Sequence, residues 1–542
     1  MIITALLAAS LFAQTPSDRP PLPLAPASAA PSTAAAQPGS ARGRQPAGAT
    51  PAAPDRAPSA EKPKDPADDD TPVVTRHQIT LNGKPLKYTA TAGMMPLKSD
   101  TGEVDARIFY VAYTLDDSES TRPLTFAFNG GPGSSAVWLH MGALGPRRVK
   151  LLDNGGMPPP PFQVVDNEDT WLDDTDLVFI DPVGTGFSHA AKPEDNRKYW
   201  GVQPDLNSME QFVRLYVARN ERWSSPLFVA GESYGTFRAA GLAGALNDDG
   251  IALNGVILIS TILKMGGGAD DMSSVLNLPT YAATAWYHKK LPADLQSRPL
   301  GSLLPEVEAW ALGDYNASLV QGDRLPAARR DKVVSTLSRY TGLARSYVDD
   351  ANLRISDSRF YKELLRDRKR TVGRFDTRVL GVDPDAAGER ADYDPSETAV
   401  TPPFTMAFNQ YVRSELGFKS DRQYGILVPI PWDFGSGMGG FGRRNGADTS
   451  GALRDAMTQN PYLKVFVAEG HYDLATPYFA VEDTLSHMRL DEEARGRISS
   501  AQYDAGHMVY TDAPSRHKLK ADVSRFLRNA ASPALSPGQP AR

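Results

Sequence analysis

A series of short apolar runs, most of them closed by a turn containing glycine or proline, limits what this chain can fold into more than any other feature. They cover residues 124–128 before Asn129-Gly130-Gly131, 177–180 before Asp181-Pro182, 227–230 before Gly231, and 256–259. After a long interval come 463–468 and 498–503. Continuous apolar runs of this length read as strands buried on both faces. With helical pattern between them, they predict an α/β fold with a mostly parallel central sheet covered by helices on both sides. In such sheets the chemistry gathers at the carboxyl ends of the strands.

The flanking segments read differently. Residues 74–80 and 86–91, separated by a stretch containing Asn82-Gly83, predict a β-hairpin, and 107–114 a further strand. Between about 266 and 433 the pattern is mostly helical with breaks at Pro and Gly, and 331–340, 357–366 and 404–415 are expected helices. This interval reads as a helical cap inserted into a domain made of 73–265 and 434–530. The Gly-rich run 435–442 lacks the Lys-Ser/Thr ending of a phosphate loop and reads as a loop near the cap.

Composition narrows the function classes. The 542 residues are 41% hydrophobic and 23% charged, an ordinary globular balance. A net charge of −6 without a basic block argues against a nucleic-acid partner. The absence of cysteine excludes disulfides, thiolate metal sites and cysteine catalysis. No His/Asp/Glu cluster has convincing ligand spacing, so no metal or cofactor is expected. Residues 1–13, MIITALLAASLFA, are too short to span a bilayer, which takes about 20 apolar residues. They read as the apolar part of an export signal, which implies a periplasmic or secreted bacterial protein. Residues 14–72, rich in Pro, Ala, Ser and charge, read as a disordered linker, and 531–542 as a disordered tail.

The motifs sit where the strands end. Gly231-Glu232-Ser233-Tyr234-Gly235 follows the run 227–230 and precedes a helical stretch. A sharp strand-to-helix turn of this kind needs small residues two positions either side of the serine, so that its hydroxyl stands clear. Ser233 is therefore the expected nucleophile of an α/β-hydrolase fold, whose chain order is serine, acid, histidine. A serine nucleophile needs a base, and the base an orienting carboxylate. Asp473 follows the run 463–468, and His507 lies on a Gly-preceded loop after 498–503. His471, His487 and His517 are weaker candidates by local context, and His140 and His189 precede Ser233, the wrong order. Asp504 lies too near His507 in sequence to orient it easily, and Asp176 reads as a turn residue. The Gly-rich loop after 124–128 is where this fold turns backbone N–H groups toward a developing oxyanion. The residue after the nucleophile, Tyr234, is the expected second donor.

At these residues the chain resembles the serine carboxypeptidase family. The resemblance rests on five blocks in order: Asn129 through Ser135, Phe179 through Ser188, Gly231 through Gly235, the Gly-x-x-Asp-x-x-x-Pro of Gly470 to Pro477, and Gly506-His507-Met508-Val509. It implies removal of one residue from a peptide's carboxyl end, with the backbone N–H groups of Gly131 and Tyr234 receiving the oxyanion. Asn129, Gly130 and Glu232 would grip the terminal carboxylate, and Glu232 can do so only when protonated. Three departures stand out. Ser134 occupies a position where the family usually has a disulfide-bonded Cys, Ala143 one where it often has a second Glu, and Thr236-Phe237-Arg238 replaces the usual residues after the nucleophile. Arg238 could offer a cation to a carboxylate or form a structural ion pair. Peptides are the expected substrates, and no membrane partner is expected. An esterase or acyltransferase on the same scaffold, or a non-catalytic binding protein keeping the fold, are the alternatives. Release of single amino acids from blocked dipeptides, and reactivity toward fluorophosphonates, separate the three.

Overall fold

The computed structural model describes residues 65–119, 121–265, 271–435 and 447–532. The export-signal reading of 1–13, most of the linker reading, all of the Gly-rich run except Gly435 and nearly all of the expected tail lie outside them. The described chain starts inside the expected linker. Asp65 caps a short 3-10 turn, Pro66–Asp68, whose Ala67 is fully buried. Asp68 and Asp70 pair with Arg422 and Arg107. The end of the segment expected as disordered linker is thus tied down by two arginines from distant segments.

Nine strands form the path of one sheet. They are β1 (Val73–Leu81), β2 (Lys84–Lys98), β3 (Val104–Leu115), β4 (Leu124–Phe128), β5 (Asp176–Ile180), β6 (Leu227–Ser233), β7 (Gly255–Thr261), β8 (Lys464–Gly470) and β9 (Ile498–Tyr503). Their spatial order is β1-β2-β3-β5-β4-β6-β7-β8-β9, with a short strand, His189–Ala190, also on β3. The first three strands and the β3–β5 pair are antiparallel, and every pair from β5 to β9 is parallel. Asn82 and Gly83 make the expected tight turn, both with positive φ (51° and 74°), as a two-residue hairpin of that type requires.

The inner parallel strands are mostly apolar because successive side chains enter two different cores, whereas the edge strand β9, ISSAQY, exposes Ser499, Ser500 and Gln502 and is not the apolar run expected. Phe179, Ala230, Ile257, Ile259 and Phe466 point to one face, and Val178, Val229, Val256, Leu258 and Val465 to the other. Helices Val202–Arg219, Tyr234–Asp248 and Ser450–Gln459 cover the second face, and Ala513–Ala531 the first.

The inserted region has its own core, built on Val275, Tyr281, Leu303, Leu337 and Phe360. Three expectations change here. Proline does not always break its helices: Pro279, Pro305, Pro402 and Pro403 lie inside helical spans, with Pro279 and Pro403 buried. Packing there outweighs the lost N–H bond. The expected helix 404–415 begins earlier, as Pro395–Ser414, and its Phe404, Phe408 and Tyr411 pack into the first face of the main sheet. By packing, residues from Val400 to Ile426 belong with the sheet and not with the cap core. An amphipathic stripe shows that a helix docks, but not on which core. The expected helix 357–366 stops at Glu363.

Candidate active site

β6 ends on Ser233, and the helix Tyr234–Asp248 starts at the next residue. Ser233 is held at φ 59°, ψ −131°, a costly conformation for a residue with a Cβ and a mark of a strained functional turn. The flanking glycines are fixed by space. A Cβ on Gly231 would lie 2.1 Å from the carbonyl oxygen of Gly235. Across the β7 pairing, Thr261 lies opposite Ser233, and the hydroxyl of the adjacent Ser260 donates to the backbone carbonyl of His507. The loop carrying the histidine is thus anchored at the end of the sheet that carries the serine.

Asp473 and His507 meet as expected. Nδ1 of His507 lies 2.7 Å from Oδ2 of Asp473, with both residues buried. The carboxylate is held from every side: Oδ1 accepts from the backbone N–H groups of Ala475 and Thr476, and Oδ2 from the Thr476 hydroxyl at 2.6 Å. The ring of Phe375, from the inserted region, stacks on the imidazole at 5.0 Å, and its carbonyl accepts the His507 N–H. Burial opposes a charge on His507, but the Asp473 carboxylate outweighs it and holds the imidazole above its ordinary pKa. Thr476 and Phe375 are absent from the sequence-based site. Thr476 lies within the Gly470–Pro477 block, three residues after the aspartate, where a hydroxyl commonly bonds back. No sequence signal marks Phe375.

The Gly-rich loop presses against the nucleophile turn. A Cβ on Gly130 would lie 2.3 Å from the backbone nitrogen of Tyr234 and 2.8 Å from the carbonyl oxygen of Glu232. The N–H of Tyr234 is the first of its helix and has no intrahelical acceptor. Gly130→Ala therefore has no room except by displacing the loop or the turn. Loss of one oxyanion donor costs ~10²–10³ in kcat. Steady-state kinetics of this variant are expected to show a loss of that order on ester substrates and a loss at least as large on free-acid peptides.

Three anchors hold the loop. Arg238 donates from Nη1 to the Asn129 carbonyl at 2.7 Å and from Nε to Asp205 at 2.7 Å, with both side chains buried. Its guanidinium faces the Phe128 and Tyr234 rings, each 5.3 Å away. Arg238 is thus a structural ion pair supporting the loop. Ser134, where the resemblance implies a cysteine, accepts from Trp138 Nε1 and donates to the Ile426 carbonyl, so hydrogen bonds stitch the loop here. Asp181 accepts from the Ala136 N–H at 2.8 Å.

Glu232 lies beside this loop, 2% exposed, and accepts from the Tyr510 hydroxyl at 2.5 Å. Burial pushes its carboxyl up to about 7. The amide nitrogen of Asn129 faces the Glu232–Tyr510 pair without meeting hydrogen-bond geometry, and has no partner among the described residues. Its Oδ1 is committed to the Leu139 N–H. Ala143 is buried and offers only its carbonyl, to Asn167.

The competing residues are engaged elsewhere. His140 bonds Tyr113 and stacks on Phe179, and burial pushes it down to about 3. His189 contacts the Phe187 carbonyl, His471 pairs with Asp504, His487 sits against Asp483, and His517 pairs with Asp169. Asp176 opens β5 and pairs with Arg122 and Arg222. Glu168, Asp169 and His517 cluster closely, but Arg148 and Arg516 already neutralise the carboxylates.

A sequence model of the serine carboxypeptidase family matches residues 83–274. Over this span, about a third of its length, the chain is similar to that family. The match takes in Asn129, Gly130, Gly131, Glu232, Ser233 and Tyr234. Asp473 and His507 lie beyond it, so their pairing rests on geometry. Serine carboxypeptidase-like 35 of Arabidopsis thaliana is 25% identical over 228 residues, covering 40% of this chain and 44% of that protein. The pheromone-processing carboxypeptidase KEX1 of Saccharomyces cerevisiae is 36% identical over 159 residues, covering 26% of this chain and 20% of the yeast protein. The chain thus aligns with less than half the length of either serine carboxypeptidase relative. A crystal structure of the yeast prohormone-processing carboxypeptidase KEX1ΔP covers 81% of this chain and 91% of its own, at a TM-score of 0.49 and 17% identity.

Proposed function

We propose that this chain is a serine carboxypeptidase that hydrolyses the last peptide bond of peptides through an acyl-enzyme on Ser233. The observation that carries the reading is Glu232: a buried acid with its pKa pushed up to about 7, next to the unpartnered amide nitrogen of Asn129 and one residue from the nucleophile. A neutral carboxyl and an amide N–H are the donors that a substrate's terminal carboxylate needs. An esterase whose substrates lack a free carboxylate has no use for them.

In this reading His507 takes the Ser233 proton as the hydroxyl attacks the scissile carbonyl, and Asp473 steadies the imidazolium. The N–H groups of Gly131 and Tyr234 receive the oxyanion. The proton passes to the leaving amino acid, and water, activated by His507, releases the shortened peptide. Asn129, Gly130 and protonated Glu232 hold the terminal carboxylate, which keeps the reacting carbonyl one residue from the end. Export to a periplasmic or extracellular space is part of the proposal, supported by the apolar stretch MIITALLAASLFA. Fusing residues 1–72 to a secretion reporter tests it.

Two titrations set the pH dependence. His507 must be neutral to act as base, so activity on every substrate rises as pH climbs through its raised pKa. Glu232 must be protonated to accept a carboxylate, so activity on free-acid peptides is present below about pH 7 and lost above it. Profiles of kcat/KM for a blocked dipeptide and for its methyl ester test this. The expected outcome is an alkaline limb near pH 7 for the acid, absent for the ester and abolished by Glu232→Gln. Identical profiles for acid and ester would sink the proposal.

A further inference from the structure

The resemblance leaves a gap at Ala143, where relatives often place a second acid beside the one at Glu232. In this structure the position next to Glu232 is taken by a residue from another element. Tyr510 follows the His507 loop, is 1% exposed, and packs its ring on Gly142, where an added Cβ would lie 2.5 Å from the ring carbons. Its hydroxyl donates to Oε2 of Glu232 at 2.5 Å. Arg516 reaches only its backbone carbonyl, at 3.5 Å. Nothing else in the mechanism uses this phenol.

We propose that Tyr510 is the positioning residue of the terminal-carboxylate site: by donating to Oε2 it fixes the acid proton of Glu232 on Oε1, the oxygen left to face a peptide's free carboxylate. The proposal rests on the carboxypeptidase reading and deepens it. A neutral carboxylic acid has one donor and can place it on either oxygen. An O–H pointing at Oε2 favours the proton on Oε1, because the carbonyl oxygen is the better acceptor, so the single donor is biased toward the substrate. Burial holds the phenol well above its ordinary pKa, so it stays a donor across the working range.

The same bond has a pH consequence of opposite sign to burial. Donation to a carboxylate favours its charged form and lowers the pH at which Glu232 ionises. The other groups facing Glu232 are His507, whose positive form acts in the same direction, Asp473, whose charge acts against it, and the Asn129 amide. A tyrosine in place of a second acid therefore gives a carboxylate site that opens at a lower pH than burial alone would set, but with its proton already oriented.

The test uses the full chain carrying Ser233→Ala, so that substrate is held and not consumed. Binding of a blocked dipeptide and of its carboxyl-terminal amide is followed by calorimetry from pH 4 to pH 9. In the parent the acid binds more tightly than the amide, and this preference disappears as pH rises through the Glu232 titration. Adding Tyr510→Phe is expected to weaken acid binding at pH 5 about fivefold, as loss of one hydrogen bond does. It is also expected to move the pH at which the preference disappears upward by about one unit, leaving amide binding unchanged. Incorporation of 3-fluorotyrosine at position 510 preserves shape, strengthens the donor and is expected to move that pH downward. It reads the same coupling if the phenylalanine variant folds poorly. Acid-selective binding with superimposable pH profiles in parent, Tyr510→Phe and fluorotyrosine proteins overturns the role of Tyr510 alone. Equal binding of acid and amide in the parent overturns the carboxypeptidase reading, and the Tyr510 assignment with it.

Discussion

Ser233→Ala is expected to lower kcat on every substrate by ~10⁶-fold, with substrate affinity preserved. The nucleophile, its base and the orienting acid act as one unit, so His507→Ala should give a loss of the same order. The double variant should be scarcely worse than either single one. Folding is not the cause of the loss. Alanine keeps the Cβ of serine, so the strain at φ 59°, ψ −131° is unchanged, and the neighbouring glycines still admit the turn. Single-turnover kinetics and fluorophosphonate labelling read the effect directly, and equal thermal midpoints for parent and variant separate it from unfolding.

Asp473→Asn is expected to cost ~10⁴-fold in kcat, for a reason specific to how this carboxylate is held. Oδ1 accepts two backbone N–H groups, from Ala475 and Thr476. An asparagine must therefore leave its carbonyl oxygen there and turn its amide nitrogen toward His507. That nitrogen is a donor, so Nδ1 of the imidazole must become an acceptor, and the ring proton moves to Nε2, the atom that has to accept the Ser233 proton. The raised pKa of His507 goes with the lost charge, so the acid limb of the residual activity should move to lower pH. A residual rate with an unshifted acid limb would show that Asp473 is not what holds the imidazole.

The inner parallel strands were legible because they are apolar on both faces, and β4 carries the expected bounds; β9 also does, although its residues ISSAQY are largely polar and exposed at the sheet edge. β6 extends past the apolar run 227–230 to Ser233, since the motif itself completes the strand. The hairpin was legible from Asn82-Gly83, whose backbone only a few residue types adopt readily. The cap was harder. Its helices tolerate internal proline where packing compensates, and Phe404, Phe408 and Tyr411 announce an apolar stripe without naming the core that receives it.

At the site, the placing of Ser233 at the end of β6 and the meeting of Asp473 with His507 were legible because each residue ends or follows a strand. Tyr510 was not, although it stands three residues after His507. Its meaning depends on Glu232, 278 positions away in the chain. Arg238 could be read two ways until Asp205 was found beneath it. Phe375, from a region without motifs, could be found only in three dimensions.

Digestion of a mixed peptide library, read by mass spectrometry with parent and Ser233→Ala proteins side by side, tests the central claim most directly. The expected result is a ladder of single-residue losses from free carboxyl ends, absent with the variant and absent for amidated peptides. Internal cuts, or equal trimming of amidated and free-acid peptides, would contradict it.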